Sequence, residues 1–475
     1  MEIVRIRNLR DLTRLAALLL ALLAFVLIVN APTPADLPPQ AQKCIAIFVV
    51  AVLLWVTQAL PLMITSLLVV ILFPLTGVLS SDDSYALFGN QAIFFILGAF
   101  ILASGVMRSG LSTRVALLVL QHCGRSPVFL VMSILCLSAF FSFWMSEHAV
   151  AAMMFPIVLE LIESLQLKPE QSNYGKSLVL SMTWGCIIGG TATFLGGARA
   201  PLALGILRQS TGLSIDFMHW ALAALPTVVL LLFAAYIVII RMFQPEIRNI
   251  SNAQKVLKRK STRMGRVTDR EKAIGALMLL TIVAWIVFGE QFGLANIAIV
   301  AVVLAFLFRL LDWKEVEEDV NWGIFLMYGG AICLGYVMAK PWTEGVETSS
   351  AAHWLAAESF GMFVSSKWGF VFSLMFISLF LTEAISNTAV VALMLPLALG
   401  LGADFDLDPR LVTLALTIPC GLAFQLPMGT PATAIAFSSG FVELKDTLLG
   451  GLILKIFAFI LLTISITFYW PLIGF

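Results

Sequence analysis

Long apolar runs broken by short polar stretches dominate the chain. Residues 15–30, 44–60, 62–79, 91–108, 219–243, 273–290, 293–311, 322–339 and 449–473 are each close to the roughly 20 apolar residues that cross a bilayer's hydrocarbon core. The first run follows Arg5, Arg7, Arg10 and Arg14 in the manner of a signal peptide. With so many spans after it, it is expected to stay as an uncleaved helix. Four apolar regions resist division into single spans: 128–165 and 177–207, then 368–402 and 410–442. Taken as two re-entrant hairpins (128–165 and 368–402) and two broken helices, they predict an all-α polytopic membrane protein with about eleven transmembrane helices plus the hairpins.

Composition narrows the class further. The chain of 475 residues is 60% apolar and 12% charged, about half the roughly 25% charge of a soluble domain. Its net charge of +1 argues against a nucleic-acid partner. Six cysteines without a CxxC pair indicate neither a disulfide framework nor a zinc site. Basic residues set the orientation, since cytoplasmic loops are enriched in Lys and Arg. With the N-terminus inside, 22 of the 29 fall on inner segments, among them the linker 244–272, and five on outer ones. The expected topology has a cytoplasmic N-terminus and an outer C-terminus.

The sequence also repeats itself. IFFILGAFILASGVM (93–107) is similar to IFLMYGGAICLGYVM (324–338), and WMSEHAVAAMMFP (144–156) to AISNTAVVALMLP (384–396). LGGARAPLALG (195–205) sits opposite PMGTPATAIAF (427–437). In the topology above the members of each pair run in opposite directions. Inverted repeats of this kind mark secondary transporters, whose sites lie at interrupted helices near the membrane midplane.

Polar clusters occur at those interruptions. TEAISNT (382–388) lies inside an apolar hairpin, where hydroxyls, an amide and free backbone groups facing lipid would each cost several kcal/mol. They must face protein or a water-filled cavity. Thr382, Ser386, Asn387 and Thr388 are hard oxygen donors suited to Na+, and in LPMGTPAT (426–433) Pro427, Gly429 and Pro431 interrupt a helix and free carbonyls. The plain alternative is helix packing by small polar residues. In the first half, Ser142, Ser146, Glu147 and His148 occupy the hairpin and TATFLGGARAP (191–201) the break. Ionisable groups at that depth, here Glu147, His148 and Arg199, are functional candidates, although Glu147 and Arg199 could also be a structural ion pair. Glu383 reads as orienting its hairpin.

On these motifs the chain resembles the divalent anion/sodium symporter family, which carries dicarboxylates, citrate or sulfate. TEAISNTAVVALMLP is similar to the family's second Ser-Asn-Thr tip and LPMGTPATAIAF to its Thr-Pro-Pro-Asn break. The resemblance implies a homodimer in a bacterial inner membrane, built of scaffold and transport domains that work as an elevator, with no organic cofactor. It implies domains at 1–90 (scaffold), 91–243 (first repeat), 273–321 (scaffold), 322–448 (second repeat) and 449–475 (last helix). It also implies a second sodium site at Thr382, Ile385, Asn387 and Gly429, and substrate contacts at Ser386, Asn387, Thr388 and Thr430. In the first half Ser142, Ser146 and Gly196 match a sodium site. Glu147 and His148 replace the family's Asn and Thr there, and Arg199 falls in its Pro-Pro-Asn segment. The first sodium site is therefore expected to be altered or lost, with Ser146, Glu147, His148 and Arg199 toward the substrate and Arg199 in the sodium's place. Other readings of the same residues are sodium-independent or proton-linked exchange, an anion channel, or an intramembrane enzyme. The last lacks an HExxH or GxSxG motif.

Overall fold

The computed structural model describes residues 2–34, 36–124, 126–169, 171–343, 349–360 and 366–475, with side chains from residue 12 onward except 359 and 360. The side chains of Arg5, Arg7, Arg10 and Arg125, counted above for orientation, lie outside this description.

Every regular element among the described residues is helical. The first half runs α1 (Glu2–Asn30), α2 (Pro39–Thr57), α3 (Leu62–Leu75), α4 (Ser81–Ala86), α5 (Gln91–Arg108) and α6 (Leu111–Cys123). It continues through α7 (Pro127–Ser142) and α8 (Glu147–Ser164), then α9 (Asn173–Gly189), α10 (Arg199–Thr211), α11 (Phe217–Met242) and α12 (Ser251–Arg263). The second half holds α13 (Asp269–Phe292), α14 (Leu294–Leu307), α15 (Trp313–Asp319), α16 (Trp322–Ala339) and α17 (Ala351–Phe360). After these come α18 (Lys367–Ala384), α19 (Asn387–Asp404), α20 (Pro409–Cys420), α21 (Pro431–Ser438) and α22 (Leu444–Ile464). Nine helical stretches among the described residues are long and apolar enough to cross a membrane: α1, α2, α4–α5, α11, α13, α16, α18, α19 and α22 with its extension to Ile473. Leu15, Leu19 and Leu22 of α1 and Leu279 and Val287 of α13 are exposed, as suits side chains that meet lipid rather than water.

Local chemistry starts these helices where the apolar runs begin. Ser126, Ser172 and Ser366 cap α7, α9 and α18 by accepting a backbone N–H, and Thr268 with Glu271 forms a capping box on α13. Pro127, Pro409 and Pro431 stand at first helical positions, where the missing N–H costs nothing. The short α6, α12, α15 and α17 escape a search for long apolar runs because only part of each is apolar.

Packing repeats between the halves. Helix α5 lies on α14, and α16 on α3. Helices α7 and α8 both pack on α9, as α18 and α19 both pack on α20. The halves also exchange parts: α10 packs on α19 and α20, and α21 on α8 and α9. Helix α10 is further held between α5 and α16, for a Cβ at Gly205 would stand 3.0 Å from both Ala92 Cβ and Ile332 Cδ1.

Helix α9 is the axis of the first half, buried at every position from Tyr174 to Gly189. Its Gly185 and Gly189, four apart, meet the backbone of α7 at Leu135 and Ala139 so closely that any Cβ would overlap it. Small residues at this spacing let two helices approach at backbone distance. Gly189→Leu should therefore lower the unfolding temperature in detergent and the yield of folded protein far more than Gly212→Leu, which meets open space but carries positive-φ strain.

Where the α5 span ends, Arg108 donates from Nε and Nη2 to the two carboxylate oxygens of Asp319, which lies outside the spans on α15, at 2.9 and 2.7 Å, and Ser104 donates to the same carboxylate. The Arg108 guanidinium holds the Asp319 carboxyl below its ordinary pKa. A depressed carboxyl pKa adds stability that is complete above the unfolded value of about 3.9 and is lost as pH falls through the folded value. The stability difference between wild type and Asp319→Asn should be constant at neutral pH and vanish on acidification below about pH 4. Urea titrations of detergent-solubilised protein would show it.

Candidate functional site

Two breaks, 190–198 and 421–430, interrupt the helix pairs α9/α10 and α20/α21. Each is tied to the tip of the helix pair beside it. In the first half the tip is the turn between α7 and α8. Ser146 caps α8 by accepting from the Ala149 N–H at 3.3 Å, and the Glu147 N–H donates to the Gly196 carbonyl at 3.0 Å. Thr193 donates its hydroxyl to the Phe143 carbonyl, binding break to tip a second time. Trp220 Nε1 donates to the Thr191 carbonyl at 3.3 Å.

Phe194, inside this break, is the hub of an aromatic nest. Its ring meets Phe95, Phe217 and Trp220 edge-on at centroid distances of 6.2, 5.7 and 5.1 Å. Trp285 of α13 completes the nest, stacked on Phe217 at 6.2 Å and edge-on to Phe95 at 5.5 Å. Such pairs each contribute about 0.5–1.5 kcal/mol beyond area burial, so the irregular backbone is clamped by aromatic packing.

Arg199 opens α10 and is 2% exposed. Its Nη2 donates to the Gly190 carbonyl at 2.8 Å, while Nη1 stands 3.9 Å from Glu147 Oε1, beyond hydrogen-bonding distance. Glu147 is buried, and its Oε2 and the hydroxyl of Ser142 lack a hydrogen-bond partner. The guanidinium also crosses to the other half: a Cβ built on Gly421 would overlap its Nε, Cζ and Nη2. Tyr328 of α16, fully buried, donates its hydroxyl to the Ala198 carbonyl and fixes the backbone just before Arg199. His148 is exposed.

The second half has the same outline with different fastenings. The single hydroxyl proton of Thr382 is within reach of two acceptors, Asn387 Oδ1 and, at 2.7 Å, the Cys420 carbonyl, while Cys420 Sγ donates to the Asn387 carbonyl at 3.1 Å. Thr382 and Asn387 are both buried. Tip and break thus converge on a cluster of hydroxyl, amide and carbonyl oxygens, hard donors that suit an alkali cation. Ile385 forms the bend that ends α18, and Ser386 and Asn387 open α19 with Thr388 buried behind them. Thr430 caps α21 through the Thr433 N–H at 3.2 Å and shares a hydrogen bond with the Thr433 hydroxyl.

Glu383 is the anchor of this half. Its carboxylate, 4% exposed, accepts from the backbone N–H groups of Phe424, Gln425 and Leu426 at 2.8–3.2 Å. Lys455 of α22 closes the arrangement, with Nζ 2.9 Å from Glu383 Oε1 and donating to the Leu379 carbonyl at 2.6 Å. Gly429 lies against the same carboxylate, its built Cβ 3.1 Å from Glu383 Oε2.

The structure therefore joins Glu147, Arg199 and Gly196 in one group and Thr382 and Asn387 in another, with Glu383 linking Gly429 to the second break. Arg199 connects the two groups through Gly421. Sequence reasoning did not single out the Cys420 carbonyl, Gly421, Tyr328 or Lys455. The only cue to Lys455 was a basic residue left inside an apolar span.

A family model described as the sodium:sulfate symporter transmembrane region matches residues 12–475. The sodium-dependent dicarboxylate transporter SdcS of Staphylococcus saprophyticus is 29% identical over 484 residues, covering 96% of this chain and 92% of its own. SdcS of Staphylococcus aureus strain USA300 is 28% identical, with 97% and 92% covered. Two solved structures share the fold. MtrF of Neisseria gonorrhoeae, described with a class of antimetabolite efflux pumps, aligns with a TM-score of 0.55 at 13% identity, covering 93% of this chain and 96% of that one. The YdaH transporter of Alcanivorax borkumensis aligns at 0.51 and 12%, covering 86% and 99%.

Proposed function

The chain belongs to the sodium:sulfate symporter family, and from that premise we propose that it moves a small divalent anion, a dicarboxylate or a sulfate-like oxyanion, across a bacterial inner membrane by an elevator motion. It works as a homodimer with a cytoplasmic N-terminus and an outer C-terminus. The helix pairs α7–α8 and α18–α19 act as re-entrant hairpins in two inverted repeats, and with the broken helices they form the moving body. Ser146, Ser386, Asn387, Thr388 and Thr430 supply hydroxyl and amide donors to the anion, and His148 adds an exposed imidazole at the first tip. Sodium-dependent relatives support Na+ as the coupling ion. The oxygens of Thr382, Asn387 and Cys420, with the backbone of Ile385 and Gly429, would hold it.

One observation carries the finer reading: a buried guanidinium stands at the first break, in contact with both halves. A cation tethered there balances an anion's charge in every state and cannot be loaded or released. The first sodium site, with Ser142, Ser146 and Gly196 as its remaining donors, is given over to Arg199. Coupling then falls to the second site.

Uptake of labelled succinate and sulfate into proteoliposomes tests this, with sodium, pH and internal anion varied separately. Uptake driven by a sodium gradient, with a Hill coefficient for sodium of about one, is the expected result. Uptake indifferent to replacing sodium by potassium would instead support exchange or proton linkage. Counterflow of labelled substrate, which an open pore does not sustain, separates carrier from channel.

A further inference from the structure

The Arg199 guanidinium lies in a slot whose walls are two glycines from different halves of the chain. A Cβ on Gly197, in the first break, would overlap Nη1, and one on Gly421, at the head of the second, would overlap Nε, Cζ and Nη2. The guanidinium is also held by the Nη2 bond to the Gly190 carbonyl at 2.8 Å and faces Glu147 Oε1 at 3.9 Å from Nη1. The φ of Gly421, −81°, is one that any residue adopts, and the three nearest atoms to its built Cβ all belong to Arg199. The group that lies nearest the space left open at 421 is therefore a charge.

We propose that Gly421 is a positioning residue for Arg199: by lacking a side chain it lets the first half's guanidinium lie across the second break, so that one fixed cation serves the anion held between the two halves. The proposal rests on the reading that Arg199 balances the substrate's charge, and it adds which feature of the opposite half sets where that charge stands. A planar guanidinium fills such a slot edge to edge, whereas the compact ammonium of lysine does not need it. A methyl group at 421 meets the guanidinium first, at Nη2, Cζ and Nε, and so pushes it off the second break.

The test compares Gly421→Ala in two backgrounds, wild type and Arg199→Lys, with Arg199→Ala alongside. The readouts are KM and kcat for labelled succinate and sulfate in proteoliposomes, and the unfolding temperature of the purified protein without ligand. Gly421→Ala is expected to raise KM about tenfold in the wild-type background, with sodium dependence retained and unfolding temperature little changed. In the Arg199→Lys background the same substitution is expected to change KM by less than about twofold. An equal penalty in both backgrounds, in KM or in unfolding temperature, overturns the proposal, because the methyl group would then act on the fold and not through the guanidinium. So does an unchanged KM for Gly421→Ala. A near-normal KM for Arg199→Ala overturns the underlying reading of Arg199, and that result is visible whatever Gly421 does.

Discussion

Arg199→Ala is expected to abolish accumulation of the anion, raising KM by about two orders of magnitude or more, roughly 3 kcal/mol in affinity. The size follows from where the charge sits. Arg199 is 2% exposed and held by the Gly190 carbonyl, so neither water nor salt screens it as they would a surface charge. Removing it also takes away the cation 3.9 Å from the buried Glu147 carboxyl, and to whatever extent that group is ionised the loss costs stability, up to about 3–5 kcal/mol for a full buried charge. Lost uptake from Arg199→Ala alone would thus mix two causes. Adding Glu147→Gln separates them. The double variant should recover whatever unfolding temperature the unpaired carboxyl cost, because a neutral amide needs no counter-ion, yet remain defective in uptake. Wild-type uptake by the double variant would show that the pair is structural and the anion indifferent to it.

Lys455→Met should be the most destabilising single change at the second break, by about 3–5 kcal/mol, because Glu383 would keep its charge among three backbone donors and lose its cation. The loop 424–426 is positioned by that carboxylate, and Gly429, three residues on and ahead of Thr430, lies against it too. Sodium affinity should therefore fall with stability. Glu383→Gln in the same chain should restore part of the unfolding temperature, since a neutral amide needs no counter-ion. The check is thermal unfolding of both variants with and without sodium. An unchanged sodium-induced shift in Lys455→Met would mean that the 424–426 loop does not shape the cation site.

The apolar runs made most of the long helices readable, since a span is a local property of about 20 consecutive residues. Span 322–339 coincides with α16, and the polar cluster at 382–388 falls at the turn between α18 and α19. The breaks were legible through Pro431 and the glycines around Arg199. What escaped was long-range. Glu383 and Lys455 are 72 positions apart in sequence, and Arg199 and Gly421 are 222 apart. No spacing rule connects residues on different helices of different halves. Cys420 reads as an apolar thiol, and its part is played by a backbone carbonyl that no side-chain pattern announces. The short α4, α6, α12 and α15 were missed for the opposite reason, being too brief or too polar to register as spans.

The two halves share an outline but are fastened by different forces, rings around Phe194 in one and ions around Glu383 in the other. This gives the molecule an optical handle. Trp285 on α13 stacks on Phe217 of α11, so any sliding of α11 past α13 uncouples an indole from its neighbour and alters its emission. A chain keeping Trp285 as its sole tryptophan would then report each excursion as a flicker of fluorescence, with no dye attached.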